Sequence, residues 1–268
     1  MKANRILFIT QEITPFVPES PIANVGRYLP QATQESGRAI RIYTPQWGCI
    51  NKRRNQLHEV IRLSGMNLII DNTDHPLIIK TASLPAAHIH IYFIDNDDYF
   101  QNRLMVRDAE GVEYSDNDER IIFFARGVLE TEKKLRWCPD VIHCHGWISA
   151  LIPLYIKSAY NEEPSFRDSK VVFSLYDDNF NEPLPDNFLQ KLLHKDMDAS
   201  LLDGIATPTT YEELAKIAIR YSDGVVINGD NISEELISYA KLLGKPILEK
   251  QSEEEYNNAC NNFYETIF

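Results

Sequence analysis

This 268-residue sequence lacks long apolar runs, paired cysteines and a glycine-rich turn. Without a run of about 18 apolar residues, neither a membrane-spanning helix nor a membrane partner is predicted. The four cysteines stand singly and lack the Cys-x-x-Cys and Cys/His spacings of zinc sites, so no metal is predicted. Scattered thiols are typical of a reducing compartment, and the apolar segment 6–9 is too short for a signal peptide. We therefore expect a cytoplasmic protein.

Positive charge is also scarce, because 27 Lys and Arg stand against 39 Asp and Glu, which gives a net charge of −12. A field of this sign repels polyanions, so no nucleic-acid partner is expected. The densest basic run, 52–54, is short and is interpreted as an exposed loop. The Gly-x-Gly-x-x-Gly turn of dinucleotide-binding sheets is absent, and no cofactor is predicted. An uncharged partner such as a polysaccharide suits this composition better.

Compact runs of branched and aromatic residues alternate with amphipathic helical patterns along the chain. The predicted strands are 6–9, 40–43, 57–63, 66–70, 77–81, 88–94, 141–144, 171–174, 224–227 and 246–248. The predicted helices are 23–36, 116–134, 147–160, 188–202, 211–221, 233–243 and 253–267. This alternation predicts an α/β fold with a single doubly wound, mostly parallel Rossmann-like sheet and helices on both faces. No linker or internal repeat divides residues 1–268, so one domain is predicted.

Five segments of the sequence resemble, in order, motifs of the bacterial glycogen/starch synthase family. They are QEITPF (11–16), FIDNDDYF (93–100), YSDNDER (114–120), PDVIHCHGW (139–147) and IRYSDGV (219–225). Each segment alone is a weak signal, but five in the same order are specific. The resemblance covers roughly residues 4–230 and identifies the chain as a member of this family.

The resemblance implies the N-terminal, Rossmann-like domain of a GT-B glycosyltransferase that uses ADP-glucose. In that architecture, a C-terminal domain binds most of the sugar nucleotide across a cleft. About 40 residues follow the last matched segment, which is too few for a second domain of typical size. We therefore expect the chain to lack the C-terminal donor-binding domain. We also expect the last helix, 253–267, to pack back on the N-terminal part.

The loop after the first strand departs from the family's Lys-Thr-Gly-Gly-Leu-Ala-Asp-Val. Here Pro18 replaces the Lys, and Asn24 replaces the Asp. Ser20 and Pro21 replace the two glycines, which let the backbone approach a diphosphate at a helix N-terminus. Pro21 has no N–H to donate, and Glu19 would repel a phosphate by roughly 1 to 4 kcal/mol at a surface site. We therefore predict a degenerate donor loop without anion-binding chemistry.

Candidate sugar contacts follow the seventh and eighth predicted strands. His145 and Trp147 are kept from the family motif, but Gly146 replaces the Asp between them. By the resemblance, His145 lies close to the transferred glucose and is the vestigial catalytic candidate, although an ordinary structural His is an equal alternative. The family's His and Asn after the next strand are Tyr176 and Asp177 here. Tyr176 retains a hydroxyl that can bind a sugar.

Three further candidates, Asp116, Asn117 and Arg120, are also kept. By the resemblance, the Asp and Asn sit near acceptor and sugar hydroxyls at the cleft. Asp is also a favoured helix N-cap, which is the stronger interpretation of Asp116. Sugar rings stack on exposed aromatics, and the remaining aromatic candidates near the cleft are Tyr92, Tyr99, Phe100 and Tyr114.

Two functions remain open at this point. The first is a truncated glycogen/starch synthase-like protein that is non-catalytic alone and binds glucan or regulates glycogen metabolism. The alternative is the acceptor-side half of an ADP-glucose-dependent glucosyltransferase that is active only with a partner chain, so enzyme activity is left open. The expected partners are an α-glucan or maltooligosaccharide, a second copy of the chain, or a separate protein.

Overall fold

The computed structural model describes residues 2–84, 87 and 89–268. Its strands are β1 (Arg5–Thr10), β2 (Ala39–Pro45), β3 (His58–Glu59), β4 (Met66–Ile70), β5 (Thr73–Leu84), β6 (Ile89–Asp95), β7 (Val141–His145), β8 (Lys170–Leu175), β9 (Gly224–Ile227) and β10 (Ile247–Leu248). Its α-helices are α1 (Pro21–Glu35), α2 (Asn117–Leu135), α3 (Ile152–Lys157), α4 (Phe188–Leu192), α5 (Tyr211–Tyr221), α6 (Glu234–Leu242) and α7 (Glu253–Ile267). Short 3-10 helices span Trp147–Ser149 and Ala199–Leu202. This alternation confirms the predicted α/β class.

The sheet has the strand order β10-β9-β8-β7-β1-β2-β6-β5-β3, and β4 also pairs with β5. The strands from β10 to β6 in this order are parallel, whereas β5 is antiparallel to β6, β3 and β4. The chain moves outward from β1 to β6 and then returns to β7, on the other side of β1. Doubly wound sheets bind ligands at such a switch point, outside the carboxyl ends of the strands.

The helices cover the sheet in two groups. α1 packs against α7, while α2, α3 and α5 pack on one another. Because crossovers between parallel strands are right-handed, the outward and return halves of the sheet carry their helices on opposite faces. The central strand β1 is therefore covered on both sides, and its residues Ile6, Leu7, Phe8 and Ile9 are all buried. The continuous apolar run of β1 is the sequence signature of that position.

The start of α1 differs from the predicted start at residue 23. Pro21 occupies the first helical position, where its fixed φ is favourable and its missing N–H is harmless. The Ser20 hydroxyl accepts a hydrogen bond from the Ala23 amide at 3.0 Å, which makes Ser20 the N-cap. The helix therefore begins two residues earlier than the hydrophobic stripe alone predicts, and Pro30 lies within it.

Two predicted helices, 147–160 and 188–202, are each broken in the structure. In the first, a 3-10 turn precedes α3, which begins only at Ile152 and carries Pro153 in its first turn. In the second, α4 is separated from a 3-10 turn by residues that include Lys195, whose φ is 55°. A left-handed residue cannot continue a right-handed helix, and this conformation leaves no mark in the hydrophobic pattern.

The least regular part of the sequence forms the antiparallel edge of the sheet. Within the predicted strand 57–63, only His58–Glu59 forms a strand, and 61–63 form a turn closed by a hydrogen bond of 2.9 Å from the Leu63 amide to the Val60 carbonyl. β5 (Thr73–Leu84) is longer than the predicted strand 77–81, because it pairs with β6, β3 and β4 at different positions along its length. His88, the first residue of the predicted strand 88–94, lies outside the described residues.

Arg38 ties α7 to the start of β1. Its side chain is only 8% exposed, and its Nε donates to the Ala3 carbonyl at 2.9 Å. Its terminal nitrogens donate to Asn261 Oδ1 at 2.8 Å and to the Glu265 carboxylate at 2.6 Å. The Ala3 amide also donates to Glu265 at 3.3 Å. α7 therefore lies against the first residues of the chain.

Among the described residues, no helix combines the length and the apolar character needed to cross a bilayer. The four cysteines are free thiols, of which Cys144 and Cys260 are buried. The described part of the chain also brings together no group of three His, Cys, Asp or Glu side chains that could hold a metal.

We expect Arg38→Ala to lower the free energy of unfolding by about 2 to 3 kcal/mol, because hydrogen bonds to charged groups contribute about 1.5 to 3 kcal/mol. Urea denaturation followed by circular dichroism measures the change. Arg167→Ala is the matched control, since Arg167 forms an exposed ion pair with Asp168. We expect less than about 0.5 kcal/mol for this control. Equal changes in both variants would contradict the role of Arg38 in holding α7.

Candidate functional site

The carboxyl ends of β1, β7 and β8 meet at the switch point, and each end carries a polar side chain. Gln11 follows β1, His145 ends β7, and Tyr176 follows β8. The parallel register keeps these positions on neighbouring strands. All three side chains are buried. The site is therefore a packed polar cluster at the sheet edge where ligands of doubly wound folds bind.

Gln11 is the centre of this cluster. Its side-chain Nε2 donates to Asp178 at 2.7 Å and to Glu12 at 3.1 Å, and its Oε1 accepts from the Ile148 amide at 3.3 Å. Its backbone carbonyl accepts from Trp47 Nε1 at 2.8 Å. One amide side chain thereby joins the loops that follow β1, β7 and β8. Gln11 begins the segment QEITPF, but sequence reasoning gave it no role, because its hydrogen-bond partners lie far along the chain.

Gly146 makes room for Gln11. Its φ is 80°, and a Cβ at this position would lie 2.9 Å from Gln11 Oε1 and 3.0 Å from Gln11 Cβ. Side chains rarely tolerate either condition. An Asp at this position, as in the family motif, therefore does not fit beside Gln11 as it is placed here. The replacement of that Asp by Gly146 was the one sequence signal that could have led to Gln11.

Two carboxylates share the Gln11 amide. The pKa of Asp178 is raised to about 6, mainly by burial and also by the nearby Glu12 carboxylate, against the lowering effects of the hydrogen bond from Gln11 and the charge of Arg107. Glu12 is itself buried. The pair concentrates negative charge at the sheet edge, which disfavours an anionic ligand there.

The N-terminus of α1 is closed by the chain itself. The Ser20 hydroxyl is hydrogen-bonded to the Glu12 carboxylate and accepts from the Ala23 amide. The Ser20 carbonyl accepts from the Asn24 amide at 2.9 Å. Pro21 has no N–H to offer. A helix N-terminus binds phosphate through free N–H groups, and here an internal carboxylate lies in that region.

The remaining residues of the donor loop lie on the surface. Pro18, Glu19, Pro21 and Asn24 are exposed, while Ser20 is half-buried. Because Pro18 and Glu19 point into solvent, packing does not require either of them. Pro18 stands where the family motif has a Lys, so this position presents no positive charge to a ligand.

His145 and Tyr176 form a buried pair. His145 is 1% exposed and Tyr176 is 3% exposed, and the Tyr176 hydroxyl lies 2.8 Å from His145 Nδ1. Burial lowers the pKa of His145 to about 3, so its imidazole is neutral at physiological pH. His143, interpreted from the sequence as structural, bonds to the Tyr264 hydroxyl and to Ser174 Oγ, each at 2.7 Å.

The candidates at the start of α2 hold the preceding loop. Asp116 stands at the N-cap position but makes no side-chain capping bond, and its carboxylate instead pairs with Arg103 at 2.6 Å. Asp116 is therefore the N-cap residue, as the sequence predicts, but its carboxylate bonds to Arg103 and not to the helix amides. Asn117 donates to the Val106 carbonyl at 3.0 Å and accepts from Arg120 at 2.8 Å.

Arg120 is buried among aromatic rings. Its guanidinium carbon lies 5.0, 5.2 and 5.5 Å from the ring centroids of Tyr114, Trp47 and Phe100. Burial lowers its pKa to about 10, so it stays charged. Because Trp47 also donates to the Gln11 carbonyl, Arg120 is connected to the switch point through Trp47. Arg120 is thus linked to the switch-point cluster but stays buried.

Most aromatic candidates are covered. The buried ones are Tyr99, Phe100, Trp147 and Tyr176. Trp147 packs edge-on against Phe180 with 4.9 Å between ring centroids, and its Nε1 has no hydrogen-bond partner within the described residues. Tyr92 and Tyr114 are half-buried, and Tyr92 stacks on Tyr43 at 5.1 Å. The expectation of stacking platforms is therefore reduced to Tyr114 near the cleft.

A cavity of about 300 Å³ lies beside Tyr114. Residues of the segments 113–117 and 180–185 line it. Glu113 joins the two segments by accepting from the amides of Asn181 at 3.0 Å and Glu182 at 3.2 Å. One wall of the cavity, 180–185, belongs to the segment that follows β8.

Gly146→Ala tests the contact with Gln11. We expect it to lower the free energy of unfolding by about 2 to 5 kcal/mol, through strain of about 1 to 2 kcal/mol and overpacking of about 1 to 3 kcal/mol. Gly37→Ala is the control, because Gly37 has a φ of 91° but no atom within 4 Å of the place that a Cβ would occupy. Chemical denaturation of both variants separates strain from contact. In the double variant Gly146→Ala/Gln11→Ala, the part of the stability loss that comes from the steric contact should be recovered. Equal losses of stability in Gly146→Ala and Gly37→Ala would rule the contact out.

Asp178→Asn tests the raised pKa. The folded carboxyl keeps its proton up to about pH 6, whereas an unfolded Asp releases it near pH 4. Wild type should therefore lose stability relative to the variant, by about 1 to 2 kcal/mol, as pH rises from about 4 to about 6. The Asn can still accept the bond from Gln11. Urea unfolding across this window measures the difference, and a constant difference would contradict the assignment.

Comparison with known proteins shows where this arrangement belongs. The starch synthase catalytic domain family matches residues 5–247. A glycogen synthase from Pelodictyon phaeoclathratiforme is 37% identical over 198 residues, which cover 74% of this chain and 40% of that protein. One from Chlorobium limicola is 34% identical over 235 residues, which cover 85% and 48%. The chain thus spans somewhat less than half the length of these curated relatives.

A solved structure shares the fold. The catalytic domain of starch synthase IV from Arabidopsis thaliana, bound to ADP and acarbose, superposes with a TM-score of 0.74 over 94% of this chain and 52% of that chain, at 17% identity. That neighbour is a GT-B glycosyltransferase domain, which supports the predicted fold class. The family match includes the whole switch-point cluster from Gln11 to Tyr176 and confirms the predicted resemblance. The chain belongs to the starch synthase catalytic domain family.

Proposed function

We propose that this domain binds α-glucan and does not by itself transfer glucose from a nucleotide sugar. The closed N-terminus of α1 is the observation that carries the proposal. Transfer from a nucleotide sugar leaves charge on a departing diphosphate, which a transferase must stabilise with N–H groups or cations. In this chain, Ser20 takes the Ala23 N–H, Pro21 has no N–H, and the Glu12 carboxylate is bonded to the Ser20 hydroxyl.

The negative charge around the loop between β1 and α1 also disfavours a diphosphate. Glu12 and Asp178 lie on either side of the Gln11 amide, and Glu19 is exposed on the loop. A diphosphate brought to this edge meets carboxylates at the positions where a donor site needs positive charge. His145 is held neutral by burial and offers a hydrogen bond without a charge. Neutral, hydroxyl-rich ligands suit this chemistry.

The cavity beside Tyr114 is the candidate glucan site. Its volume of about 300 Å³ is at the lower end of small-molecule pockets. Tyr114 contributes a half-buried ring, while Ser115 and Glu182 are exposed on its rim and can bond to hydroxyls. An acarbose-bound relative with the same fold supports an oligosaccharide ligand for this chain.

The biological role that follows is that of a glucan-binding or regulatory relative of glycogen synthases in the cytoplasm. Such a domain would act on glycogen metabolism by occupying glucan chains. It would do so as a single chain, in copies, or with a separate protein partner. The free thiols are compatible with this compartment.

Calorimetric titration of the purified chain with maltohexaose and with ADP-glucose tests the proposal. We expect binding of maltohexaose, no measurable binding of ADP-glucose, and no ADP release when glycogen and ADP-glucose are supplied together. Ser115→Trp fills the cavity and should weaken maltohexaose binding by at least about tenfold, or about 1.4 kcal/mol.

Ala109→Trp is the matched control, since Ala109 is exposed in the loop before α2 but does not line the cavity. The affinity of the Ala109→Trp variant for maltohexaose should equal that of the wild type. Two results would overturn the proposal. One is ADP release above the enzyme-free background, and the other is failure of the wild type to bind maltohexaose.

A further inference from the structure

A second cavity, of about 670 Å³, lies at the edge of the sheet opposite the switch-point cluster. Its walls include the last turn of α2, the loop 136–138 that leads into β7, and the segment 163–165 that precedes β8. Since β7 is five residues long, roughly 15 Å separate its two ends. The volume is within the range of small-molecule sites. None of the lining residues belongs to the five family-like segments of the sequence.

Five charged side chains line this cavity: Lys133, Lys134, Arg136, Glu130 and Glu163. Lys133 Nζ lies 3.7 Å from a carboxylate oxygen of each of the two glutamates. Lys134 bonds only to a neutral group, the Leu63 carbonyl at 3.3 Å. The Arg136 side chain has neither an ion pair nor a hydrogen bond within the part of the chain that the structure describes. Two cations at this cavity are therefore left without an anionic partner.

Arg136 ends α2 in a left-handed conformation, with a φ of 51°. This conformation is unfavourable for a residue with a Cβ, and Gly or Asn is usual where a helix ends in this way. The Arg136 side chain is exposed, and its guanidinium bonds to none of the last carbonyls of the helix. The needs of the helix end therefore do not explain why an Arg stands here.

The surroundings of the cavity are positive although the whole chain is acidic. The pKa of His194 is lowered to about 4, mainly by burial and also by the charges of Arg126, Lys195 and Lys133, against the opposing charge of Glu130. Salt screens exposed charges that lie more than about 8 to 10 Å apart. A small ligand in the cavity therefore meets these local cations more strongly than the net charge of −12.

We propose that this cavity binds a small organic phosphate, with Lys134 and Arg136 on the phosphate and with Met66 and Pro164 against the organic part. A phosphate monoester carries a charge of about −1.5 to −2 at pH 7, which matches two cations that lack carboxylate partners. Arg binds phosphate through paired N–H donors, and Lys binds it as a compact charge. The site shares no residue with the cavity beside Tyr114, so it can exist whether or not that cavity binds glucan.

Cys138 provides a reporter for the test, because its thiol is exposed and lines the cavity. Cys49 is the other exposed thiol, whereas Cys144 and Cys260 are buried. In the full chain with Cys49→Ser, the uncharged disulfide dithiodipyridine therefore measures the accessibility of Cys138. At constant ionic strength, phenyl phosphate should slow this reaction about tenfold at ten times its Kd. Phenol and inorganic phosphate at the same concentrations should slow it less than about twofold.

Arg136→Gln should raise the Kd of phenyl phosphate about tenfold, because a hydrogen bond between charged groups is lost. The control is Lys241→Gln, which removes an exposed cation of α6 outside the cavity and should leave the Kd unchanged. Both side chains are exposed, so we expect both variants to fold. The ratio of the rates with and without ligand cancels any change in the reactivity of Cys138 itself.

Three results would overturn the proposal. The first is the absence of protection of Cys138 by phenyl phosphate up to about 10 mM, which is the range of very weak binding. The second is an unchanged Kd in Arg136→Gln. The third is equal protection by phenol or by inorganic phosphate, because the site would then recognise only the apolar part or only the anion.

Discussion

The contact between Gln11 and Gly146 is the constraint on which the switch-point cluster depends. It occurs where the ends of β1 and β7 lie side by side, and it exists only because position 146 has no side chain. From there the Gln11 amide reaches Asp178 beyond β8 and the Ile148 amide beyond β7. A single missing Cβ therefore determines how three loops close over the edge of the sheet.

Closure of these loops changes the electrostatics of the edge. At this edge, Glu12 bonds to Ser20 at the start of α1 and shares the Gln11 amide with Asp178. Negative charge is thus held inside the cluster by neutral donors. His145 complements these carboxylates, since its buried, neutral imidazole can form a directional hydrogen bond without adding a charge. Fold and motif order are those of the family, and the altered ligand chemistry is the part that we propose.

Several parts of this arrangement could be predicted from the sequence. The apolar run of β1, the helix 253–267 and the family motifs are local patterns, and local patterns survive folding when the surroundings agree with them. The replacement of the donor-loop glycines by Ser20 and Pro21 was likewise visible. Its consequence was only partly foreseen, because the role of Ser20 as N-cap depends on its geometry beside Glu12.

Other parts could not be foreseen because they depend on contacts between distant segments. Asp116 gives up side-chain capping for Arg103, Arg120 is buried among rings, and Trp147 is covered by Phe180. Residue type and spacing indicate that such side chains are polar or aromatic, but burial is decided by what the other loops bring to them.

The sequence by itself determined the α/β class, the family and the absence of glycine from residues 18–24, because each of these is a local pattern of residues along the chain. Only the tertiary structure decided that Gln11 joins the loops after β1, β7 and β8, that His145 bonds to Tyr176, and that most aromatic candidates are buried. Those properties arise where residues about 30 to more than 160 positions apart meet. Hydrogen bonds and steric contacts act over a few ångströms in space, whatever the separation along the chain.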